Sequence, residues 1–126
     1  MASSESAVTE YDFASFQADA SRTLEPHRAM TPENFALVCL GLTGEAGEVA
    51  DLAKKVIGHK HPLNIDRFKE ELGDTLWYVA AICSLLGVSL AEVARGNIEK
   101  LQRRYPDGFE PSRSLNREPS YDSASL

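Results

Sequence analysis

The sequence predicts an all-α fold: four main helices in a bundle. Apolar residues recur at helical rather than alternating spacing, start and stop residues bracket four segments, and no stretch alternates as a half-buried strand would. A chain of 126 residues has room for one domain core, so a single fold carries the function.

A first helix is expected from about Thr9 to Leu24, with Tyr11, Phe13, Phe16 and Ala20 on its apolar side and Pro26 as its stop. A second starts with Thr31 as N-cap and Pro32 at the first helical position, where the missing N–H costs nothing. It runs to about Ile57, with Gly58 as the expected C-terminal cap. Asn64 caps a third, which closes at Gly87. "SLAE", Ser89 to Glu92, is a capping box opening a fourth that reaches roughly Tyr105 before Pro106 and Gly108. The expected division is a flexible N-terminus at 1–8, a helical catalytic domain at 9–110, and a flexible or subunit-contacting tail at 111–126, rich in Ser, Pro, Asn and charge.

Composition removes several function classes. With a net charge of -6 the chain has no general basic field, so a nucleic-acid polymer is not an expected partner. The uncharged run Thr75 to Ala91 is short for a membrane span and is bounded by Asp74 and Glu92, so no membrane partner is expected either. "MASSESAVTEYD" lacks a basic-then-apolar leader, and a cytoplasmic location is expected. Cys39 and Cys83 sit in apolar helical pattern without CxxC or His-rich spacing and read as reduced core thiols. His59 and His61 flank Lys60 in the connection and read as a solvated loop.

The acids stand out. At about 100° per residue, Val38, Leu42, Val49 and Leu52 fall within about 60° of Glu45, which puts this carboxylate in the apolar stripe of its helix, with Glu48 one turn on. On the third helix Phe68, Thr75, Tyr78 and Ile82 flank Glu71 in the same way, with Asp74 following. Of these four acids only Glu71 has a helical cation, Arg67; Asp51 pairs separately with Lys55. Two like charges ~4 Å apart repel by about 4 kcal/mol at an effective dielectric near 20, so a cation or a proton has to neutralise the group. Raised carboxyl pKa values would do so; all-oxygen ligands from rigid helices also suit Mg²⁺, with Mn²⁺ as a substitute, and the metal is the more economical answer. Gly44, Gly47 and Gly73 are costly in helix interiors and point to close helix approach or room for a bulky ligand. A di-iron centre is set aside, because none of His27, His59 or His61 completes a Glu-x-x-His motif.

"EAGE" (45–48), 22 intervening residues and "ELGD" (71–74) resemble the ExxE–spacer–ExxD signature of the MazG-like all-α nucleoside triphosphate pyrophosphohydrolases. "GLTGEAGEVADLAKK", "EELGDTLWYVAA" and "NIEKLQRRYPDGF" resemble the single-domain branch of that family, over about Tyr11 to Phe109. The resemblance implies Mg²⁺-dependent hydrolysis of a nucleoside or deoxynucleoside triphosphate to the monophosphate and pyrophosphate, for cleansing of nucleotide pools. It implies metal ligands at Glu45, Glu48, Glu71 and Asp74, with Glu45 or Glu48 as the catalytic base, and assembly as a homodimer or dimer-of-dimers homotetramer. Asn97, Lys100 and Arg104 share a helical face with Arg103 beside it and are candidate substrate contacts, as are Lys55 and Trp77. The alternative is a non-catalytic metal- or nucleotide-binding helical module for dimerisation or sensing.

Overall fold

A computed structural model describes residues 10–25 and 29–117. The chain is helical: α1 Phe13–Ser21, α2 Pro32–Gly58, α3 Ile65–Leu86, α4 Leu90–Arg104 and a short α5 Pro111–Leu115, with no strand among the described residues. It divides into two compact units, Met1–Ala91 and Glu92–Leu126.

Local chemistry sets the helix ends. Asp12, in extended backbone, accepts the Ser15 N–H at 2.8 Å, so α1 starts at Phe13 and not near Thr9, which lies outside the described residues. Pro26, the expected stop, also lies outside them; α1 has already ended at Ser21. Thr31 and Asn64 cap α2 and α3 as expected, accepting the N–H groups of Asn34 (3.1 Å) and Arg67 (3.2 Å). Gly87, at φ 69, ends α3, and the Val88 N–H reaches back to the Cys83 carbonyl.

Gly58 corrects the sequence reading. It is the last residue of α2, whereas the left-handed conformation falls on Lys60, at φ 55. The N–H groups of His59 and His61 both donate to the Lys55 carbonyl, and that double bond to one acceptor fixes where the chain reverses. A side chain in the left-handed region costs about 1 kcal/mol, a strain the loop accepts. Pro111–Leu115, at the start of the stretch expected to be a flexible or subunit-contacting tail, is helical. Pro111 occupies the first turn of α5, and Glu110 accepts from Arg113 at 3.2 Å, enough to hold one helical turn.

In the first unit α3 packs against both α1 and α2. Ala20, Ala80, Cys83 and Leu90 form one buried cluster; Leu24, Val38, Ala81 and Leu85 form another; Trp77 packs against both. Gln17 ties α1 to the turn after α3. Its Nε2 donates to the Val88 carbonyl (2.9 Å) and Ser84 Oγ (3.2 Å), and its Oε1 accepts the Leu90 N–H (2.8 Å), an otherwise unpaired donor at the start of α4. A nine-residue helix is too short to persist alone, so these bonds and the Phe16 contact keep α1 in place. Cys83 is buried and Cys39 half-buried, both as free thiols, and desolvation raises the Cys83 pKa.

Gly44, Gly47 and Gly73 have nothing within 4 Å of where a Cβ would stand, so none of them mediates close packing within the chain. The close approach is at Gly41, where a Cβ would lie 2.2 Å from Tyr78 Cε1. Two substitutions separate these roles in thermal or urea melts. Gly41→Ala should destabilise by about 1–3 kcal/mol through overpacking, and Gly58→Ala, with nothing within 4 Å, should stabilise by about 0.5–1 kcal/mol. A neutral Gly41→Ala would show that the Tyr78 ring does not set the helix separation.

Candidate metal centre

α2 and α3 run antiparallel, as their contacts in order show: Val38 clusters with Ala81 and Leu85, Gly41 meets Tyr78, and Leu52 and Val56 share a cavity with Phe68. Glu45 lies one turn after Gly41, and Asp74 one turn before Tyr78. The backbone approach permitted at Gly41 therefore brings the next turn of each helix together as well. There a carboxylate oxygen from each of Glu45, Glu71 and Asp74 lies within 4.8 Å of the others.

The surroundings of the three differ. Glu71 is buried at 8% exposure, and Arg67 Nη2 donates to its Oε1 at 3.2 Å while Nη1 pairs with Glu70 at 2.9 Å. Glu45 is half-buried and Asp74 is exposed. Desolvation, then the charges of Asp74 and Glu71, push the Glu45 carboxyl above its usual range; a hydrogen bond with Glu71 and the charge of Glu48 add to this. Glu48 is exposed and is not one of the three converging acids, although its charge reaches Glu45. Asp51 stands apart: bonds from Lys55 (2.6 Å) and Lys54 (3.0 Å) lower its pKa to about 2.

Three hard carboxylate oxygens from two rigid helices, one buried and one held above its usual pKa, form a donor set suited to an oxygen-preferring divalent cation. The open space around Gly44, Gly47 and Gly73, each next to or one residue from one of the four acids, leaves the group approachable.

The other candidates are placed as follows. Lys55 is half-buried, paired with Asp51, and lines a cavity beyond the acids. Trp77 packs into both core clusters, its Nε1 donates to Thr23 Oγ1 at 2.8 Å, and its ring stands edge-on to Tyr78 at 4.9 Å. That sets the indole against clusters that include Ala20 of α1 and Ala80 and Ala81 of α3. Asn97, Lys100, Arg103 and Arg104 lie on α4 in the second unit, with Asn97 and Arg103 exposed and Lys100 and Arg104 half-buried; the Arg104 guanidinium lies 6.0 Å from the Tyr105 ring centre. His59 and His61 are exposed, as expected of a solvated loop; His27 lies outside the described residues. Sequence reasoning missed Gly41 and Gln17. Gly41 was findable, since it lies about 40° from Glu45 on the helical wheel, inside the apolar stripe. Gln17 carries no signal along the chain, because its partners are 67 to 73 residues away.

Residues 33–109 match the family described as the MazG nucleotide pyrophosphohydrolase domain. Over 80 residues the chain is 41% identical to the Gene 37 protein of Mycobacterium phage L5, covering 60% of this chain and 70% of that protein. No solved structure matches. Among the described residues, no single helix is long and apolar enough to cross a membrane.

Because the Glu45 pKa is raised, the folded state binds more protons than the unfolded chain just above the ordinary carboxylate range, and stability contributed by this group falls as pH rises through that window. Melting curves at pH 7 should accordingly rise with added Mg²⁺ or Mn²⁺ over EDTA, by less near pH 5. Glu45→Gln should raise the EDTA melting temperature at pH 7 and remove the metal-induced increment. An undiminished increment in the variant would exclude Glu45 as a ligand.

Proposed function

The chain belongs to the MazG nucleotide pyrophosphohydrolase family, and from that premise we propose that it hydrolyses a nucleoside or deoxynucleoside triphosphate to the monophosphate and pyrophosphate, in the service of nucleotide-pool cleansing. The observation that carries the reading is the convergence of Glu45, Glu71 and Asp74 from α2 and α3. These three would hold Mg²⁺, with Glu48 joining them or acting beside them. When bound, the ion neutralises phosphate charge, polarises the scissile bond and lowers the pKa of an attacking water.

The chain's own groups supply the rest. Arg67 holds Glu71 Oε1 in place, so the buried ligand stays oriented. Glu48, exposed and one turn beyond Glu45, keeps a carboxylate outside the converging three, and in this reading it accepts the proton of the attacking water. Asn97, Lys100, Arg103 and Arg104, on α4 in the second unit, are candidate donors and counter-charges to a polyphosphate. In this reading Trp77, packed against both core clusters, shapes the site through α3.

We also propose assembly as a homodimer or dimer of dimers. Leu37, Leu40 and Leu72 are more than half exposed on the two helices that carry the acids, and the neighbouring Gly44, Gly47 and Gly73 leave room for a second chain to approach.

A panel of canonical, deoxy and damaged nucleotides with Mg²⁺, analysed by chromatography, tests the activity. Pyrophosphate plus monophosphate is expected from at least one. Metal-dependent binding with no product from any would instead favour a sensing module. Glu48→Gln should lower turnover by roughly 10²–10⁴-fold and Asp74→Asn should abolish it, both with unchanged helicity by circular dichroism. Wild-type turnover in both variants would remove them from the site.

A further inference from the structure

A cavity of about 230 Å³ lies between the end of α2, the 59–64 connection and the start of α3, within the first unit. Leu52, Val56, Pro62 and Phe68 make an apolar wall, and Lys55, His61, Asn64 and Arg67 complete the lining. We propose that this cavity seats the nucleoside end of the substrate, its base against the apolar wall beside Phe68 and His61, with Lys55 meeting the phosphates. The inference rests on the pyrophosphohydrolase reading and adds to it the subsite that selects the base.

Four observations carry it. Arg67 lines the cavity and also holds Glu71 Oε1 at 3.2 Å, so the cavity and the acids are one side chain apart. The volume is below the ~300–1,000 Å³ of sites that enclose a whole small molecule, and suits one ring system. The chemistry is split as a nucleotide is split: carbon for a planar base, which stacks on any π face, and a cation for phosphate, in a chain whose net charge is -6. Lys55 already pairs with Asp51, but both side chains keep contact with solvent, and such a pair contributes little to stability, so a phosphate can compete for the ammonium. Finally, the left-handed Lys60 bends the loop so that the His61 N–H meets the Lys55 carbonyl, which brings His61 to the cavity. Strain of this kind in a non-glycine residue concentrates at binding sites.

Titration of the four α,β-imido deoxynucleoside triphosphates and of inorganic tripolyphosphate, each with Mg²⁺, tests this. For the best-bound nucleotide, His61→Ala, a loop change, and Val56→Phe, which fills the cavity, should each raise Kd by about tenfold, near the lower end of one base-stacking contact. Tripolyphosphate affinity should not change. In the wild-type protein the ring signals of Phe68 and His61 should shift in NMR with nucleotide and not with tripolyphosphate, a readout that stands even if Val56→Phe fails to fold. Unshifted rings, unchanged nucleotide Kd in the variants, or equal weakening of both ligands would overturn the proposal. Product formation with unaffected variants would sink the cavity alone. Cavity-dependent binding with no product from any nucleotide would sink the hydrolase reading alone, and no nucleotide binding at all would end both.

Discussion

The contact on which the rest depends is the meeting of Gly41 with the Tyr78 ring. A Cβ at position 41 would overlap that ring, so the absence of a side chain sets how near α2 comes to α3. One turn away the same separation places Glu45 against Asp74 and Glu71. Farther along, Leu52 and Val56 stand off from Phe68 enough to leave a cavity. A single small residue in an apolar stripe thus sets the spacing of both the acidic group and the neighbouring hollow.

The electrostatics follow from that geometry. Elsewhere on these helices acids are answered locally: Asp51 by Lys54 and Lys55, Glu70 by Arg67. At the convergence only Glu71 has a cation, and Glu45 is left among other carboxylates on a partly desolvated stripe with its pKa pushed up. A chain selected for stability alone would place a neutral residue there. Keeping an unfavourable arrangement on the best-packed helix pair is the mark of a site completed by something positive. The family match over 33–109 takes in every one of these acids and the lining of the cavity, and starts after α1. α1 and the turn after it act instead as a brace, through Gln17 and through Thr23, which receives the Trp77 indole N–H.

Much of this was legible along the chain. Thr31, Asn64 and Gly87 announce their helix ends because capping is a local hydrogen-bonding problem, solved within a few residues. The acidic pairs announce themselves by period, since their neighbours at one-turn spacing are apolar, and Arg67 was identified as the partner of Glu71 from spacing alone. What failed were inferences from residue type without position. Gly58 looked like a cap and is helical, while the reversal falls on Lys60. Of the two readings of Gly44, Gly47 and Gly73, close helix approach within the chain fails and open space is what they face, because they lie off the apolar stripes of their own helices.

By itself, then, the sequence determined the helical class, the order of the four main helices, most of their ends, and that Glu45 and Glu71 lie in the apolar stripes of their helices, because all of these follow from contacts within one or two helical turns. Only the tertiary structure decided that Glu45, Glu71 and Asp74 meet while Glu48 stays outside the group, that Trp77 is spent on the core, and that a cavity opens beside Arg67. Those outcomes depend on the register and separation of α2 against α3, a long-range quantity set by how Tyr78 packs over Gly41, and no periodicity within either helix encodes the distance between them.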